Sequence, residues 1–365
     1  MASTQFELSD PPSDAISAIK FAPNTPTRLL VASWDKHIYL YDTHAQPGGR
    51  LIRKYEHRAP VLDVCFGANE DEAFTAGLDW DVHRIDLNTG DQTVLSTHEA
   101  GVKSVVYSTS TGLLISASWD STLHIHFPAR TPPEHPPATV PLPSKPFSIS
   151  LTETKLVVAM ASRALHIYDL RSLRLLASQS AATEETPGRS ANELEAEPWQ
   201  RRESSLKFMT RAVACMPNDA GYASSSIEGR VAVEWFDPSA ESQARKYAFK
   251  CHRQHGSADG EGGDDVDLVY PVNALAFHPV HGTFASGGGD GFVTLWDAVA
   301  KRRIRQYQKF PSSVAALDFN CEGRYLAVAV SPGFEDGSED VVGGVCAVFI
   351  RELGPAEAKG KGGSK

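Results

Sequence analysis

The fold is decided by the stretch LLVASWDKHIYLYD, which runs from Leu29 to Asp42. Two apolar runs, each four residues long, stand on either side of a short polar turn at Asp35. Apolar runs of this length bounded by turn residues are typical of β-strands. A short carboxylate suits the turn, because it accepts hydrogen bonds from backbone N–H groups. The stretch therefore predicts two antiparallel strands joined by a tight turn.

The same unit, with one more apolar run before it, recurs along the chain. Its copies begin near Ile16, Val61, Val102, Phe147, Ala212, Val272 and Val314. The spacings are 45, 41, 45, 65, 60 and 42 residues, so the repeat is just over 40 residues long with two insertions. An acidic residue recurs at the turn, at Asp35, Asp79, Asp120, Glu228 and Asp290. A period of 40 to 45 residues with about four strands per unit predicts a β-propeller.

Seven copies predict an all-β, seven-bladed ring that occupies residues 1–353 as a single domain, followed by a flexible tail at 354–365. The last copy is one strand short. The N-terminal segment from Thr4 to Leu8 alternates in polarity and lies outside the first full blade. We expect it to supply the outer strand of the last blade, because an unclosed ring leaves unpaired strand edges.

Charge is distributed unevenly over the 365 residues, whose formal net charge is −10. Three stretches, 181–200, 255–269 and 331–341, carry net charges of −4, −5 and −4, which sum to −13. The rest of the chain is then −10 + 13 = +3. All three stretches are rich in Gly, Ser, Ala or Pro, and composition of this kind predicts loop insertions. The ring itself therefore has a small net positive charge, which is compatible with anionic partners. No nucleic acid is expected among these partners.

The sequence argues against several classes of protein. No apolar run approaches 18 residues, and the N-terminus lacks the basic and apolar regions of a secretory signal, so we expect a nuclear or cytosolic protein without a membrane span. The five cysteines show no CxxC pairing, and His124 and His126 have no further ligands at metal-binding spacing. Neither a cofactor, a metal nor a catalytic motif is indicated, so an enzyme is not expected.

Longer motifs identify a family. The segments Ala32–Asp35, Ala117–Asp120 and Leu295–Asp297 resemble the WD-repeat signature. The segments Arg201–Lys207, Ser226–Glu234 and Lys246–Arg253 are similar to the mitotic-checkpoint WD-repeat proteins of the budding-uninhibited-by-benzimidazole (Bub) group, in particular its third member. The similarity runs from about Phe6 to Ile350, although the acidic insertions depart from the more compact family pattern.

This resemblance implies a function. Members of the family are non-enzymatic adaptors of the spindle assembly checkpoint, found in the nucleus, at kinetochores in mitosis, and partly in the cytoplasm. They bind a GLEBS segment in the checkpoint kinase Bub and in its Mad-type relative. They also bind phosphorylated Met-Glu-Leu-Thr repeats of a kinetochore scaffold. We expect a monomer apart from these partners. The alternative is the paralogous mRNA-export propeller, which binds a GLEBS segment of a nucleoporin.

The resemblance also assigns the phosphopeptide site. Recognition of phosphothreonine requires fixed cationic donors, and arginine is the most suitable. By resemblance, Arg230 and Lys250 hold the phosphate, while Trp34 contacts the apolar part of the peptide. The alternative is that Arg230 merely pairs with Glu228 or Glu234.

The GLEBS segment is assigned to Arg211, with Lys207 and Arg230 assisting, because the family uses an arginine here against an acidic residue of that segment. The alternative for Arg211 is a solvated charge at a strand end. Trp119 occupies the place of Trp34 in the third repeat, and its sequence position fits either a binding face or the core.

Overall fold

The seven repeats fold into seven four-stranded antiparallel sheets, as predicted. The structure, a computed structural model, describes residues 5–44, 48–128, 137–180, 193–257, 265–333 and 344–360. The first strand is β1 (Gln5–Glu7). The strands of blade 1 are β2 (Ile16–Phe21), β3 (Arg28–Ser33), β4 (His37–Asp42) and β5 (Arg50–Glu56). Those of blade 2 are β6 (Val61–Phe66), β7 (Glu72–Gly77), β8 (Asp81–Asp86) and β9 (Gln92–Thr97).

The middle blades follow the same order from the inner to the outer strand. The strands of blade 3 are β10 (Val102–Ser108), β11 (Leu113–Ser118), β12 (Thr122–His126) and β13 (Ala138–Pro141). Those of blade 4 are β14 (Pro146–Leu151), β15 (Lys155–Met160), β16 (Ala164–Asp169) and β17 (Gln200–Glu203). Those of blade 5 are β18 (Thr210–Cys215), β19 (Gly221–Ser226), β20 (Arg230–Trp235) and β21 (Tyr247–Lys250).

A hairpin separates the last two blades from the rest. It consists of β22 (Arg253–Ser257) and β23 (Asp265–Val269). The strands of blade 6 are β24 (Val272–Phe277), β25 (Phe284–Gly288), β26 (Val293–Asp297) and β27 (Arg302–Gln306). Those of blade 7 are β28 (Val314–Phe319), β29 (Tyr325–Val330) and β30 (Ala347–Glu352), with β1 as the outer strand.

The N-terminal strand closes the ring. In an antiparallel ladder Gln5 lies opposite Arg351, Phe6 opposite Ile350 and Glu7 opposite Phe349. The prediction that this segment completes the last blade is therefore confirmed. Because the ends of the chain share one sheet, the outer edge of β30 is paired instead of exposed.

The core lies between adjacent blades. The second strands are buried almost throughout, as in β11 and β29, because both of their faces are covered by neighbouring sheets. One apolar cluster joins blades 3 and 4, and another joins blades 7 and 1. The inner strands are also linked by hydrogen bonds, such as that from the Phe21 N–H to Asp318 Oδ2 at 2.7 Å. The inner ends of the blades are thereby held at fixed positions around the central channel.

In the part of the chain that the structure describes, two helices interrupt the strand pattern, α1 (Leu170–Ser180) and α2 (Ala240–Ala244), and a 3₁₀ turn covers Ala161–Arg163. Among the described residues no helix combines the length and the apolar character that crossing a membrane requires. Helix α1 directly precedes the first acidic stretch, 181–200, of which residues 181–192 lie outside the described residues. Leu194 in the same stretch is buried and its N–H donates to the Thr139 carbonyl oxygen, so this end packs on blade 3.

The second acidic stretch, 255–269, differs from the predicted loop. Its two ends belong to the hairpin of β22 and β23, and residues 258–264 lie outside the described residues. The segment from Asp265 to Val269 alternates acidic and apolar residues until its end, and such alternation favours a strand despite the acidic composition. Of the third stretch, 331–341, residues 334–341 lie outside the described residues.

The C-terminal segment also differs from the expectation of a flexible tail, as far as residue 360. Ala358 is buried, and its carbonyl oxygen accepts a hydrogen bond of 2.7 Å from Thr283 Oγ1 in blade 6. The Glu357 carboxylate lies 3.2 Å from the Arg351 guanidinium and 3.3 Å from that of Arg305. Buried apolar contact and paired charges fix this segment against blades 6 and 7.

We expect Glu357→Ala to lower the free energy of unfolding by about 2–4 kcal/mol, because the largely buried Arg351 loses its carboxylate. The matched control is Glu352→Ala, which removes the exposed pair with Arg324 and should cost less than about 1 kcal/mol. Urea unfolding measures both. Equal losses in the two variants would contradict a structural role for the C-terminal segment.

Candidate functional site

All the residues predicted to bind peptides lie on one face of the ring. In each antiparallel blade the turn between the second and third strands and the connection to the next blade lie at the same end. We call this end the upper face and the opposite end the lower face. The positions of the predicted residues are as follows: Trp34 in the β3–β4 turn, Lys207 before β18, Arg211 and Arg230 at the starts of β18 and β20, and Lys250 at the end of β21.

Arg230 and Lys250 are directly opposite each other in the ladder between β20 and β21. Like charges in this position destabilise a sheet, so the pair favours the presence of an anion. Arg230 Nε lies 3.3 Å from Glu228 Oε1, so one of the two ion pairs considered from the sequence exists. Glu234 is instead buried near Arg202 and Lys246.

Arg253 is a third cation at this place, which the sequence prediction missed. Its guanidinium donates a hydrogen bond of 3.0 Å to the Glu228 carbonyl oxygen and lies 3.8 Å from Glu228 Oε1. A cavity of about 230 Å³ beside it is lined by Lys250, Arg253 and Arg303, among others. Arg253 also lies 4.0 Å from Asp267 Oδ2. Three cations thus meet two carboxylates, Glu228 and Asp267, which leaves one excess positive charge for a ligand.

A larger cavity, of about 710 Å³, marks the upper mouth of the central channel. Its walls include the first residues of inner strands from six blades, among them Lys103 and Arg211. Trp34, whose side chain is 41% exposed, and Trp119, which is half-buried, also line it. Trp119 packs on Gly101, so it contributes both to the blade and to the face.

The Trp34 turn is rigid. Asp35 accepts hydrogen bonds from the N–H groups of Ser13 and His37, at 2.9 and 3.1 Å. The Trp34 N–H donates to the Ala15 carbonyl oxygen at 2.9 Å. A fixed backbone holds the indole at the surface, where it can cover apolar ligand atoms without losing much conformational freedom on binding.

Two cations from distant parts of the chain, Lys103 and Arg211, lie together at the channel mouth. Arg211 is exposed and donates to Asn273 Oδ1 at 3.0 Å. Burial lowers the pKa of Lys103, Asp63 opposes that effect, and Arg211 adds to it. Lys207 is exposed on the connection that leads to Arg211. The grouping is suited to carboxylates, and the contribution of Lys103 was not predicted.

Large apolar side chains are exposed next to these cations. They are Phe208, Met209, Ile227, Leu268 and Val269, each between 39% and 49% exposed. An apolar patch with a polar rim on a protein surface is typical of an interaction site. The upper face therefore combines the two features that a peptide with acidic and apolar side chains requires.

Two buried histidines, His57 and His98, form hydrogen bonds within the blade that follows each of them in the chain. The His98 ring forms hydrogen bonds with Asp120 Oδ2 at 3.0 Å and with Ser116 Oγ at 2.9 Å. The His57 ring forms one with Thr75 Oγ1 at 2.8 Å. Within the described residues, Asp79, Asp81 and His83 form the single group with metal-binding spacing. The Arg58 guanidinium lies 2.7 Å from Asp81 and 3.9 Å from Asp79. The two carboxylates therefore already form ion pairs with a cation of the protein.

Buried histidines predict a pH dependence of stability. Burial lowers the pKa of His57 to about 4 and those of His124 and His126 to about 3. The unfolded chain therefore binds protons below about pH 6.5 that the folded protein does not, and stability falls as the pH falls towards 4. We expect a loss on the order of 2 kcal/mol per histidine between pH 6.5 and 5 in urea unfolding.

The double variant His124→Gln with His126→Gln should make the stability loss between pH 6.5 and 5 smaller by on the order of 4 kcal/mol, because two rings with lowered pKa values are removed. A slope should remain, because the pKa values of His57, His166 and His278 are lowered as well. His44→Gln, at an exposed histidine, is the control and should keep the full slope. An unchanged slope in the double variant would show that these two rings titrate alike in both states.

Comparison with known proteins agrees with this geometry. A family model described as "WD domain, G-beta repeat" matches residues 3–42, 91–126 and 269–297. With seven four-stranded blades around a channel, the chain is a WD-repeat β-propeller.

The relatives narrow this class to one family. The chain is 44% identical to "Mitotic checkpoint protein BUB3.1" of Arabidopsis thaliana, over 97% of this chain and 94% of that protein. It is 36% identical to "Mitotic checkpoint protein bub3" of Dictyostelium discoideum, over 93% and 92%. The identity to "mRNA export factor GLE2" of Chaetomium thermophilum is 30%, over 91% and 85%. The chain belongs to the Bub3 family of mitotic checkpoint proteins.

Proposed function

We propose that this protein is a non-enzymatic adaptor of the spindle assembly checkpoint whose upper face binds phosphorylated Met-Glu-Leu-Thr repeats of a kinetochore scaffold. The observation that carries the proposal is the cross-strand pair of Arg230 and Lys250. A phosphothreonine has about two negative charges and three acceptor oxygens, which suits two converging cationic donors. Arg253 adds a third positive charge at the same place.

The rest of the peptide would lie along the upper face. Trp34 is held at the rim and offers apolar area to the methionine and leucine of the motif. An aromatic anchor contributes affinity through buried area, whereas the cations contribute selectivity for the phosphorylated form. Phosphorylation of the scaffold would thereby control recruitment.

The same proposal includes a GLEBS segment of the checkpoint kinase Bub or of its Mad-type relative at the channel mouth. Arg211, Lys207 and Arg230 are the cations proposed for its acidic residues, and Lys103 extends the group into the channel. The exposed apolar patch around Met209 and Ile227 would cover the apolar side of that segment. Charge pairs at this rim set the register of the bound segment as well as its affinity.

We further propose a nuclear protein that is concentrated at kinetochores in mitosis, with a cytoplasmic fraction. The second candidate is the paralogous role in mRNA export through a nucleoporin GLEBS segment. The relation to an mRNA export factor, at 30% identity, favours that role less than the relation to Bub3 proteins, at up to 44%, favours the checkpoint.

Affinity purification from mitotic extract, with and without phosphatase treatment, separates the two candidates. We expect checkpoint kinases in both samples, and the kinetochore scaffold in the untreated sample alone. Recovery of nucleoporins without checkpoint kinases would favour mRNA export and contradict the proposal.

A further inference from the structure

A groove on the lower face lies far from the peptide-binding residues and is not used by the proposed function. It has a volume of about 480 Å³ and lies between the β10–β11 turn, the β14–β15 loop and helix α1. The residues of its walls that matter here are Ser110, Glu153, Arg171, Arg174 and Leu175. All three elements leave the blades at the end opposite to Trp34 and Arg230.

Helix α1 is held firmly at this groove. Asp169 Oδ1 accepts hydrogen bonds from the N–H and the hydroxyl of Ser172, at 3.0 and 3.2 Å, and so caps the first turn. Leu170, Leu173 and Ala177 are buried in the cluster between blades 3 and 4. The opposite side of the helix is therefore presented to solvent in a fixed orientation.

That exposed side is not built for the stability of the helix. Arg171 and Arg174 lie one turn apart, and neither makes an ion pair within the part of the chain that the structure describes. Two like charges at this spacing disfavour a helix, and cations near its N-terminus oppose the helix dipole. Leu175, which follows directly, is 64% exposed. The two arginines lower the stability of the helix both by repelling each other and by opposing its dipole. Such residues on a fixed, exposed surface indicate a role in binding.

We propose that this groove binds an acidic segment of a partner protein. Carboxylates of the segment would pair with Arg171 and Arg174, and an apolar side chain would cover Leu175. The two arginines provide the charge complementarity, and Glu153 at the groove restricts it to ligands with few, well-placed negative charges. A polyanion such as RNA fits less well, because two cations beside a carboxylate neutralise little of its charge.

The groove on the lower face is a binding site in addition to those of the proposed function. Because the groove and the peptide-binding residues lie on opposite faces, one molecule would hold two partners at the same time without steric conflict. The checkpoint adaptor would then connect its peptide ligands to a further acidic protein.

The test measures binding of defined probes to the full chain by fluorescence anisotropy. The probes are four fluorescein-labelled ten-residue peptides, each with four glutamates and two leucines at a different spacing, and a labelled ten-nucleotide single-stranded RNA. We expect at least one peptide to bind in the high-micromolar range. Arg171→Glu with Arg174→Glu should weaken it at least 10-fold, and Leu175→Ser about 3-fold or more.

The matched control is Arg50→Glu with Lys54→Glu, an equal charge reversal on the exposed outer strand of blade 1, which should keep peptide affinity within 2-fold. Unchanged thermal unfolding shows that the variants fold. The proposal is overturned if no peptide binds, or if both double variants lose the same amount of peptide affinity. It is also overturned if the RNA binds more tightly than every peptide. Since phosphopeptide binding should survive in the 171/174 variant, this result is independent of the proposed function.

Discussion

Replacing Arg230 and Lys250 together by glutamate is expected to lower the affinity for a phosphorylated Met-Glu-Leu-Thr peptide at least 100-fold. Each charge-assisted hydrogen bond to the phosphate is worth about 1.5–3 kcal/mol, and the two new carboxylates repel the ligand as well. The fold should survive, because Lys250 is exposed and Arg230 lies at the start of its strand. Isothermal titration calorimetry with the purified chain measures the loss.

The matched control for this variant is Arg171→Glu with Arg174→Glu on the lower face, which changes the net charge by the same amount. It should retain phosphopeptide affinity within 2-fold at physiological salt, because charges separated by more than a Debye length are screened. Equal losses in the two variants would mean that the peptide senses the overall charge of the protein and not a site at Arg230 and Lys250.

The second large effect is expected at the channel mouth. Arg211→Glu should weaken binding of a GLEBS peptide by roughly 10- to 100-fold, since it replaces a charge-assisted contact worth about 1.5–3 kcal/mol by a repulsion. Lys103→Met, deeper in the channel, should weaken the same peptide several-fold. Surface plasmon resonance measures both variants.

Arg302→Glu, on the exposed outer strand of blade 6, is the control for the channel mouth. It reverses one charge away from the upper rim and should leave GLEBS affinity unchanged. If Arg211→Glu binds as tightly as this control, the GLEBS segment does not use the channel mouth. Loss of GLEBS binding with retention of the phosphopeptide would indicate that the two ligands use separate parts of the upper face.

The ring could be predicted from sequence because its signals are local and repeated. Each blade carries its own apolar runs, and five of the seven copies carry an acidic turn residue, so a periodic pattern reveals all seven. Closure by β1 followed from counting, since the last repeat was one strand short. Trp34, Arg211 and Arg230 lie on one face because successive strands of a blade run in opposite directions, which places these three positions at the same end.

Other features depend on contacts that local patterns do not encode. Lys103 and Arg211 are 108 positions apart in sequence and meet only because the ring brings inner strands together. Arg253 is positioned by the hairpin of β22 and β23. The strands of this hairpin lie largely in a stretch whose acidic composition predicts a loop. The packing of Ala358 depends on Thr283, which lies 75 positions earlier in the chain, and no short motif describes such a contact.

The central claim is that the upper face distinguishes a phosphorylated threonine from an unmodified one. Titration of the wild-type chain with phosphorylated and unphosphorylated forms of one Met-Glu-Leu-Thr peptide tests it most directly. The cationic group of Arg230, Lys250 and Arg253 predicts at least 100-fold tighter binding of the phosphorylated form. Equal affinity for the two forms would contradict the account.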